Sequence, residues 1–224
     1  MINIAIDGPS GAGKSTIAKR AAKELGFIYV DTGALYRTVG INALRQGIDT
    51  LDEQAVIDTL DKLKVSLKFI DGEQRVFLNE EDVSVDIRLP EASMAASNVS
   101  KIPRVRQFLF SLQKDIAASE NCLMDGRDIG TVVLPRAQVK IFLTAKAEVR
   151  ARRRYDELVQ RGTPVDFDEL LQEIIQRDYN DSHREIAPLK AADDAVLLDS
   201  SDMDIEACTK AVIEIVREKL GEIK

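Results

Sequence analysis

The chain is poor in the residues on which several kinds of site depend. It has two cysteines, Cys122 and Cys208, and a single histidine, His183, so the sequence excludes a disulfide framework and a zinc site. Tryptophan is absent and aromatic residues make up 5% of the chain, which leaves little material for stacking single-stranded nucleic acid. Long apolar runs are missing as well, and we expect no contact with a membrane.

Positive charge is also in deficit. The chain has 31 Lys and Arg residues against 38 Asp and Glu residues, a formal net charge of −7, so a polynucleotide backbone is an unfavourable partner. The first strand reaches Asp7 before an apolar targeting segment can form, and we therefore expect a cytoplasmic protein. Its partners are expected to be small molecules, with the chain a monomer.

Alternation of strand and helix patterns predicts an α/β fold. Residues 2–6 alternate as a strand and precede a helix over about 13–25, and residues 27–30 precede a helix over 32–45 that Thr32 can cap. Further strands are predicted at 122–124, 139–143 and 196–198, and amphipathic helices follow Pro103 and close the chain. We expect a three-layer fold with a five-stranded parallel sheet.

Two segments depart from this alternation. Around residues 63–90, two alternating runs flank Asp71-Gly72, which predicts a small antiparallel insert. Between 146 and 184, two polar helical stretches meet at a break over 161–164, and Asp166 is available to cap the second stretch. We interpret about 146–165 as a mobile helical lid. The whole chain, 1–224, is then one domain with a core, an insert and a lid.

The strongest motif is a phosphate-binding loop. It matches G-x-x-x-x-G-K-[ST] between a predicted strand and a predicted helix, as that motif requires. Glycines allow backbone N–H groups to surround phosphate oxygens, the lysine reaches the β- and γ-phosphates, and the serine hydroxyl binds Mg²⁺. The alternative is a glycine-rich turn without a ligand. The residues assigned to ATP and Mg²⁺ are Gly8, Pro9, Ser10, Gly11, Ala12, Gly13, Lys14, Ser15 and Thr16, with Ser15 at the metal.

This loop alone does not choose a reaction, because GTPases, ATPases, kinases and switches share it. A guanine-specifying N-K-x-D segment is absent, since residues 144–147 read Thr-Ala-Lys-Ala. The chain is also short for a mechanical ATPase. A small-molecule phosphotransferase is therefore favoured, while a nucleotide-dependent switch that binds a protein partner stays open.

Charged residues follow two of the predicted strands, where open α/β sheets bind ligands. Arg37 lies just beyond the second strand, and its guanidinium fork suits a phosphate monoester; a surface ion pair is an equally good interpretation. Asp125 ends an apolar strand in the manner of a Walker-B carboxylate, so it is a candidate for holding Mg²⁺ waters. Arg127 is a candidate for contacting a phosphate, and Asp128 for accepting from a ligand donor. Alternatively, Asp125, Arg127 and Asp128 form an ion-pair cluster.

The basic residues between 150 and 184 are all arginines, which favours bidentate contacts with anions. Most are expected to pair with nearby acids on solvated helix faces. A lid that excludes water from phosphoryl transfer would use a few of them. The three chosen are Arg154, Arg177 and Arg184.

Taken together, the motifs resemble the bacterial cytidylate kinases, and the resemblance extends over essentially the whole chain. The motifs that carry it are IDGPSGAGKST (6–16), DTGALYR (31–37), ASNVSKIPRVR (96–106), DGRDIGT (125–131) and RDYNDSHREIAPLKAADDAVLLDS (177–200). Only the first is generic. Thr32 is a departure, since many members have Ser there. The resemblance implies a kinase that uses Mg·ATP to phosphorylate CMP or dCMP.

The same resemblance implies a role for individual residues. Ser97, Arg106 and Asp128 would contact cytosine, whose N4 donor and N3 and O2 acceptors match carboxylate, hydroxyl and guanidinium partners. Asp181 would hold the ribose and Arg177 would join the ribose and phosphate contacts, while the residues on the acceptor phosphate are Arg37, Arg127 and Arg184. The remaining assignments are Thr32 beside the acceptor and Lys14, Asp125, Arg127 and Arg154 in catalysis. Kinases for another monophosphate or for shikimate are the enzyme alternatives.

Overall fold

The computed structural model describes residues 1–70 and 73–221. The strands are β1 (Asn3–Asp7), β2 (Ile28–Asp31), β3 (Val65–Ile70), β4 (Glu73–Leu78), β5 (Glu81–Asp82), β6 (Cys122–Gly126), β7 (Val139–Thr144) and β8 (Val196–Asp199). The helices are α1 (Lys14–Leu25), α2 (Thr32–Arg45), α3 (Glu53–Leu60), α4 (Pro90–Val99), α5 (Pro103–Ser119), α6 (Ala147–Gln160), α7 (Phe167–His183) and α8 (Ile205–Leu220). A 3₁₀ turn spans Asp86–Arg88 and a π-helical turn spans Ile129–Val133.

The predicted five-stranded sheet is confirmed, with strand order β2-β6-β1-β7-β8. Strand β1 pairs in parallel with both β6 and β7, so that Ile4 lies opposite Leu123 on one side and Val139 on the other. These strands are apolar along most of their length and are almost fully buried, as expected where helices cover both faces of a parallel sheet. Their carboxyl ends reach Asp7 and Asp125.

By its contacts the chain divides into two compact units. The first contains residues 28–120 together with Met1, and the second contains residues 2–27 and the chain from Asn121 onward. The first unit includes α2 to α5 and the antiparallel sheet. The second includes α1, α6 to α8 and four of the five strands of the parallel sheet.

The antiparallel insert forms part of the core of the first unit. Strands β3, β4 and β5 make a three-stranded sheet, in which Val76 and Leu78 of β4 are buried with Leu35 and Val39 of α2. The insert is thus confirmed as antiparallel, and β5 is a strand that the sequence pattern did not predict. The predicted Asp71-Gly72 turn lies outside the described residues.

Helix termini follow local side-chain chemistry. Asp166 begins α7 as predicted, because its carboxylate accepts from the backbone N–H groups of Asp168 and Glu169. The expected cap at Thr32 is wrong, since Asp31 caps α2 by accepting from Ala34 N at 2.9 Å. An aspartate accepts this bond more strongly because it is charged and faces the positive end of the helix.

In the second unit, α6 and α7 form a helical hairpin with its own small core. Ala151, Leu170 and Ile174 are buried there, and the rings of Tyr155 and Phe167 meet edge to face with centroids 5.9 Å apart. Gly162 has φ +71° in the break between the two helices. The two predicted helical stretches are therefore confirmed, while the division of the chain into core, insert and moving lid stays a prediction. In the part of the chain that the structure describes, no helix has both the length and the apolar character to cross a bilayer.

Candidate active site

The phosphate loop connects β1 to α1 through backbone conformations that only glycine adopts without strain. Gly8 has φ +150°, and a Cβ atom there would lie 1.9 Å from the carbonyl oxygen of Leu143 on the neighbouring strand. Gly13 has φ +86° and is the N-cap of α1. A side chain at either position would displace the loop from the sheet. The loop therefore presents backbone N–H groups and the positive end of α1, as the motif predicts.

Lys14 is buried in this loop. Its ammonium group donates to the carbonyl oxygen of Pro9 at 2.7 Å, and the residue is only 6% exposed. Burial, together with the charge of Arg127, lowers the pKa of Lys14 to about 7, although the charges of Asp125 and Asp7 offset part of the shift. A bound phosphate would restore the charged ammonium, so this lysine is placed to respond to an anion.

Ser15 and Asp125 bring a hydroxyl and a carboxylate together. Ser15 Oγ, at the start of α1, donates to Asp125 Oδ2 on β6 at 2.9 Å. Mg²⁺ prefers oxygen ligands and commonly uses one or two protein groups together with substrate phosphates and waters. The two residues fit that requirement. Among the described residues, no group of three or more His, Cys, Asp or Glu side chains lies together so that it could hold a metal ion without a substrate.

Asp7 is a functional candidate that the sequence patterns missed. Its carboxylate accepts from Ile129 N and Gly130 N, both at 2.7 Å, and a Cβ atom at Gly130 would lie 3.3 Å from Asp7 Oδ2. Burial raises the pKa of Asp7 to about 6, against the lowering effect of the two N–H groups. Asp7 thus fastens the loop after β6 to the base of the phosphate loop. The sequence feature that could have identified Asp7 is a carboxylate at the end of an apolar strand.

Arg127 and Arg184 are each held by an acidic residue far away in the sequence. Arg127 Nε donates to Asp181 Oδ2 on α7 at 2.9 Å. Arg184, just beyond α7, forms an ion pair with Asp128 at 3.4 Å and donates from Nε to the carbonyl oxygen of Ala187 at 2.6 Å. The structure therefore brings two predicted phosphate-binding arginines against two predicted nucleoside-binding carboxylates.

The arginines of α6 and α7 differ in their surroundings. Arg154 is partly exposed and pairs with Glu157 one turn further along α6 at 2.8 Å. Arg177, on α7, has a buried Nε atom, and its charge contributes to lowering the pKa of Lys14. Arg150 is 3% exposed, and it was not among the residues selected from the sequence.

In the first unit, Arg37 is oriented by the residue that caps its own helix. Arg37 Nη2 forms an ion pair with Asp31 Oδ2 at 2.6 Å, while the buried Nε atom has no hydrogen-bond partner among the described residues. Gln74 of the insert holds Asp31 in turn, accepting from Asp31 N at 2.9 Å and donating to Asp31 O at 3.4 Å. The guanidinium is thus fixed in direction and keeps a donor for an anion.

The other acceptor-side candidates of this unit lie on α2, α4 and α5. Thr32 is buried at the first position of α2. Ser97 O accepts from Ser100 Oγ at 3.0 Å, and Arg106 Nη1 donates to Ser100 O at 3.4 Å. The guanidinium carbon of Arg106 lies 5.9 Å from the centroid of the Tyr36 ring. Ser97 and Arg106 are thus linked through Ser100.

Comparison with known proteins identifies what this chain is similar to. The family model described as cytidylate kinase matches residues 4–218. A protein of Caldicellulosiruptor bescii named cytidylate kinase is 52% identical over 214 residues, which cover 96% of this chain and 95% of that protein. Proteins of the same name from Caldanaerobacter subterraneus and a Geobacillus species are 51% and 48% identical, covering 99% and 98% of this chain and 98% of each relative.

Proposed function

Because the chain belongs to the cytidylate kinase family, we propose that it transfers the γ-phosphoryl group of Mg·ATP to CMP or dCMP, giving ADP and the corresponding diphosphate. The chain is therefore a nucleotide kinase, which is a kind of transferase. A monomer in the cytoplasm, without nucleic-acid or membrane partners, belongs to the same proposal.

The observation that carries this proposal is the gathering of cations around Lys14. Burial and the charge of Arg127 lower the pKa of Lys14, and Arg177 adds to the effect. Asp125 and Asp7 offset part of the repulsion between these cations, and an anion bound among them would offset the rest. The phosphates of two nucleotides supply that anion, so the arrangement suits phosphoryl transfer better than it suits a structural turn.

The donor is bound by the phosphate loop. Backbone N–H groups of residues 10–15 and the ammonium of Lys14 neutralise the charge on the β- and γ-phosphates. Ser15 and Asp125 would hold Mg²⁺, which when bound neutralises further charge on the same phosphates. Arg154 and Arg177 would approach the transferred group as α6 and α7 exclude water. Positioning and charge neutralisation suffice, and no covalent intermediate is needed.

The acceptor is held at its phosphate, ribose and base. Arg37, Arg127 and Arg184 would bind the phosphate, and their planar forks favour bidentate contacts. Asp181, which accepts from Arg127 Nε, would also bind a ribose hydroxyl, so one ion pair would orient two parts of the nucleotide. Thr32 would lie beside the acceptor.

Selection of the base follows from donor and acceptor chemistry. Asp128 and Ser97 would accept from cytosine while Arg106 donates to it. Uracil has an acceptor where cytosine has its amino group, so a buried carboxylate would repel uracil and leave polar groups unpaired. The proposal therefore includes preference for CMP and dCMP over UMP.

Formation of ADP with a panel of acceptors tests the proposal. With CMP, dCMP, UMP, AMP and shikimate compared at equal concentrations, we expect the two cytidine nucleotides to be best. Highest activity with AMP or shikimate would contradict it, and ADP formation independent of any acceptor would favour a nucleotide switch. In Asp128→Ala, we expect the preference for CMP over UMP to shrink more than the affinity for ATP; equal losses towards both acceptors would contradict the role of Asp128.

A further inference from the structure

Arg150 makes an unusually complete set of contacts for a side chain that the proposed reaction does not use. Its Nε donates to the carbonyl oxygen of Ala145 at 2.8 Å, and its Nη1 donates to the carbonyl oxygen of Ser10 at 2.9 Å. Both terminal nitrogens also bond Asp178 on α7, with Nη1 3.0 Å from Oδ1 and Nη2 against Oδ2. One buried guanidinium thus joins the end of β7, the phosphate loop and α7.

The contact with Ser10 fixes the direction of a loop peptide. A trans peptide is planar, so its N–H group points away from its carbonyl oxygen, and the chain contains no cis peptide among the described residues. When the Ser10 carbonyl points at Arg150, the N–H of Gly11 must therefore point to the opposite side. Loops of this type bind phosphate through N–H groups directed into the loop.

The identity of residue 11 supports the same arrangement. Gly11 has φ +78°, and a Cβ atom there would lie 3.3 Å from Arg150 Cβ. The loop therefore lies directly against the arginine, at a position where any larger residue would be strained and crowded. The two residues fit each other as a pair.

Asp178 and the two carbonyl oxygens together engage four of the five N–H donors of Arg150. The carboxylate of Asp178 bonds two nitrogens of the guanidinium, and the carbonyl oxygens of Ala145 and Ser10 accept one bond each. The charge is thereby balanced within the protein. Lysine at this position has one nitrogen instead of a planar fork and cannot bond Ala145, Ser10 and Asp178 in the same geometry.

We propose that Arg150 is a positioning residue that directs the Gly11 N–H of the phosphate loop towards bound phosphate, and that Asp178 holds the guanidinium in place for this purpose. The inference rests on the proposed function only in requiring that the loop binds nucleotide phosphates. Neither residue touches the substrate in this account.

Binding of inorganic tripolyphosphate tests the inference, because this probe has no base or ribose. Titration calorimetry and the ¹H–¹⁵N signal of Gly11 would be measured for the unaltered chain, Arg150→Lys, Asp178→Asn and the control Arg152→Lys. Arg152 lies on the same helix, 4.6 Å from the Phe167 ring. We expect affinity to fall at least about tenfold in Arg150→Lys, as for loss of a hydrogen bond to a charged group, about threefold in Asp178→Asn, where one charge of the pair is removed, and not at all in Arg152→Lys.

The Gly11 signal separates positioning from general stability. In the unaltered chain, tripolyphosphate should shift it strongly downfield, and in Arg150→Lys that shift should be largely lost while the thermal unfolding midpoint still shows a folded protein. Undiminished affinity and an undiminished Gly11 shift in Arg150→Lys would overturn the inference. Should that variant fail to fold, Asp178→Asn decides by the same two measurements, since Asp178 is 28% exposed. Absence of tripolyphosphate binding by the unaltered chain would instead contradict the proposed function.

Discussion

The two units hold their functional side chains by contacts of different range. In the second unit, Ser15 reaches Asp125 across 110 positions of sequence and Arg127 reaches Asp181 across 54. In the first unit, Arg37 meets Asp31 six positions away, and Arg106 meets Ser100 also six positions away. Ser15 and Arg127 therefore acquire their geometry only when distant parts of the second unit come together, whereas Arg37 and Arg106 of the first unit contact residues close to them in the sequence.

Two arginines of the second unit are also more buried than Arg37 of the first. The side chain of Arg184 is 8% exposed and that of Arg150 is 4% exposed, against 25% for Arg37. Buried charges depend strongly on their partners. Substitutions in the phosphate loop of the second unit should therefore affect the donor and the chemistry, whereas those in the first unit should affect the acceptor, and each prediction below can break that distinction.

Removal of the loop ammonium should have the largest effect. We expect Lys14→Ala to lower turnover at least about a thousandfold, comparable to loss of a preorganised charge at a reacting group. Because burial lowers the pKa of Lys14 to about 7, its charged form does not stabilise the fold, and the unfolding midpoint should change little. Acceptor-dependent ADP release and thermal unfolding are the measurements, with Lys23→Ala at an exposed position of the same helix as control. A near-normal rate in Lys14→Ala would contradict the mechanism.

A conservative change at Arg37 should affect one substrate only. In Arg37→Lys we expect KM for CMP to rise about tenfold or more, because a bidentate contact is lost, while KM for ATP changes by less than about twofold because Arg37 is held within the first unit. Arg104→Lys, at an exposed position of α5, is the control. An equal rise in both KM values would remove the distinction between the two units.

Titration of Asp7 should affect both the stability of the second unit and its activity in mild acid. Its folded pKa is about 6 against an ordinary value of 3.8, chiefly through burial. Between these values the folded state binds a proton that the unfolded state does not, so the contribution of Asp7 to stability decreases as pH rises through this window and is least favourable above about pH 6. Protonation also removes an acceptor from Ile129 N or Gly130 N and loosens the loop that carries Arg127.

We therefore expect the rate to fall below about pH 6 in the unaltered chain. In Asp7→Asn that dependence should weaken, with the rate at pH 8 reduced about tenfold, since the amide NH2 group is a donor and cannot accept from one of the two N–H groups. The phosphate of CMP titrates in the same range, but it does so equally with both proteins, so the difference between their pH profiles isolates Asp7. Identical profiles would contradict its role.

Much of the fold follows from local pattern. Strands β1, β6 and β7 are apolar runs that end in a polar residue or turn, and the phosphate loop is recognisable because all its parts are adjacent in sequence. Helices α3 and α4 were missed: α3 is a single short segment of eight residues, and α4 has a weak apolar face among small residues. Asp31 rather than Thr32 caps α2 because charge decides between two adjacent acceptors.

The site was less predictable where tertiary packing decides. Arg150 and Arg154 lie one turn apart on α6, and nothing in the residue types distinguishes them, yet the first is buried against Ser10 and Asp178 while the second pairs with Glu157 near the surface. Asp7 likewise acts on N–H groups more than a hundred residues away. The sequence pattern shows where an arginine or an aspartate occurs, whereas tertiary packing determines which groups that side chain contacts.

Transfer of label from ATP tests the central claim most directly. With ATP labelled in its γ-phosphoryl group, the account predicts that label appears in the β-phosphate of CDP when CMP is present, in proportion to ADP formed, and that Lys14→Ala abolishes this transfer. Label released as inorganic phosphate at the same rate with and without CMP would contradict it.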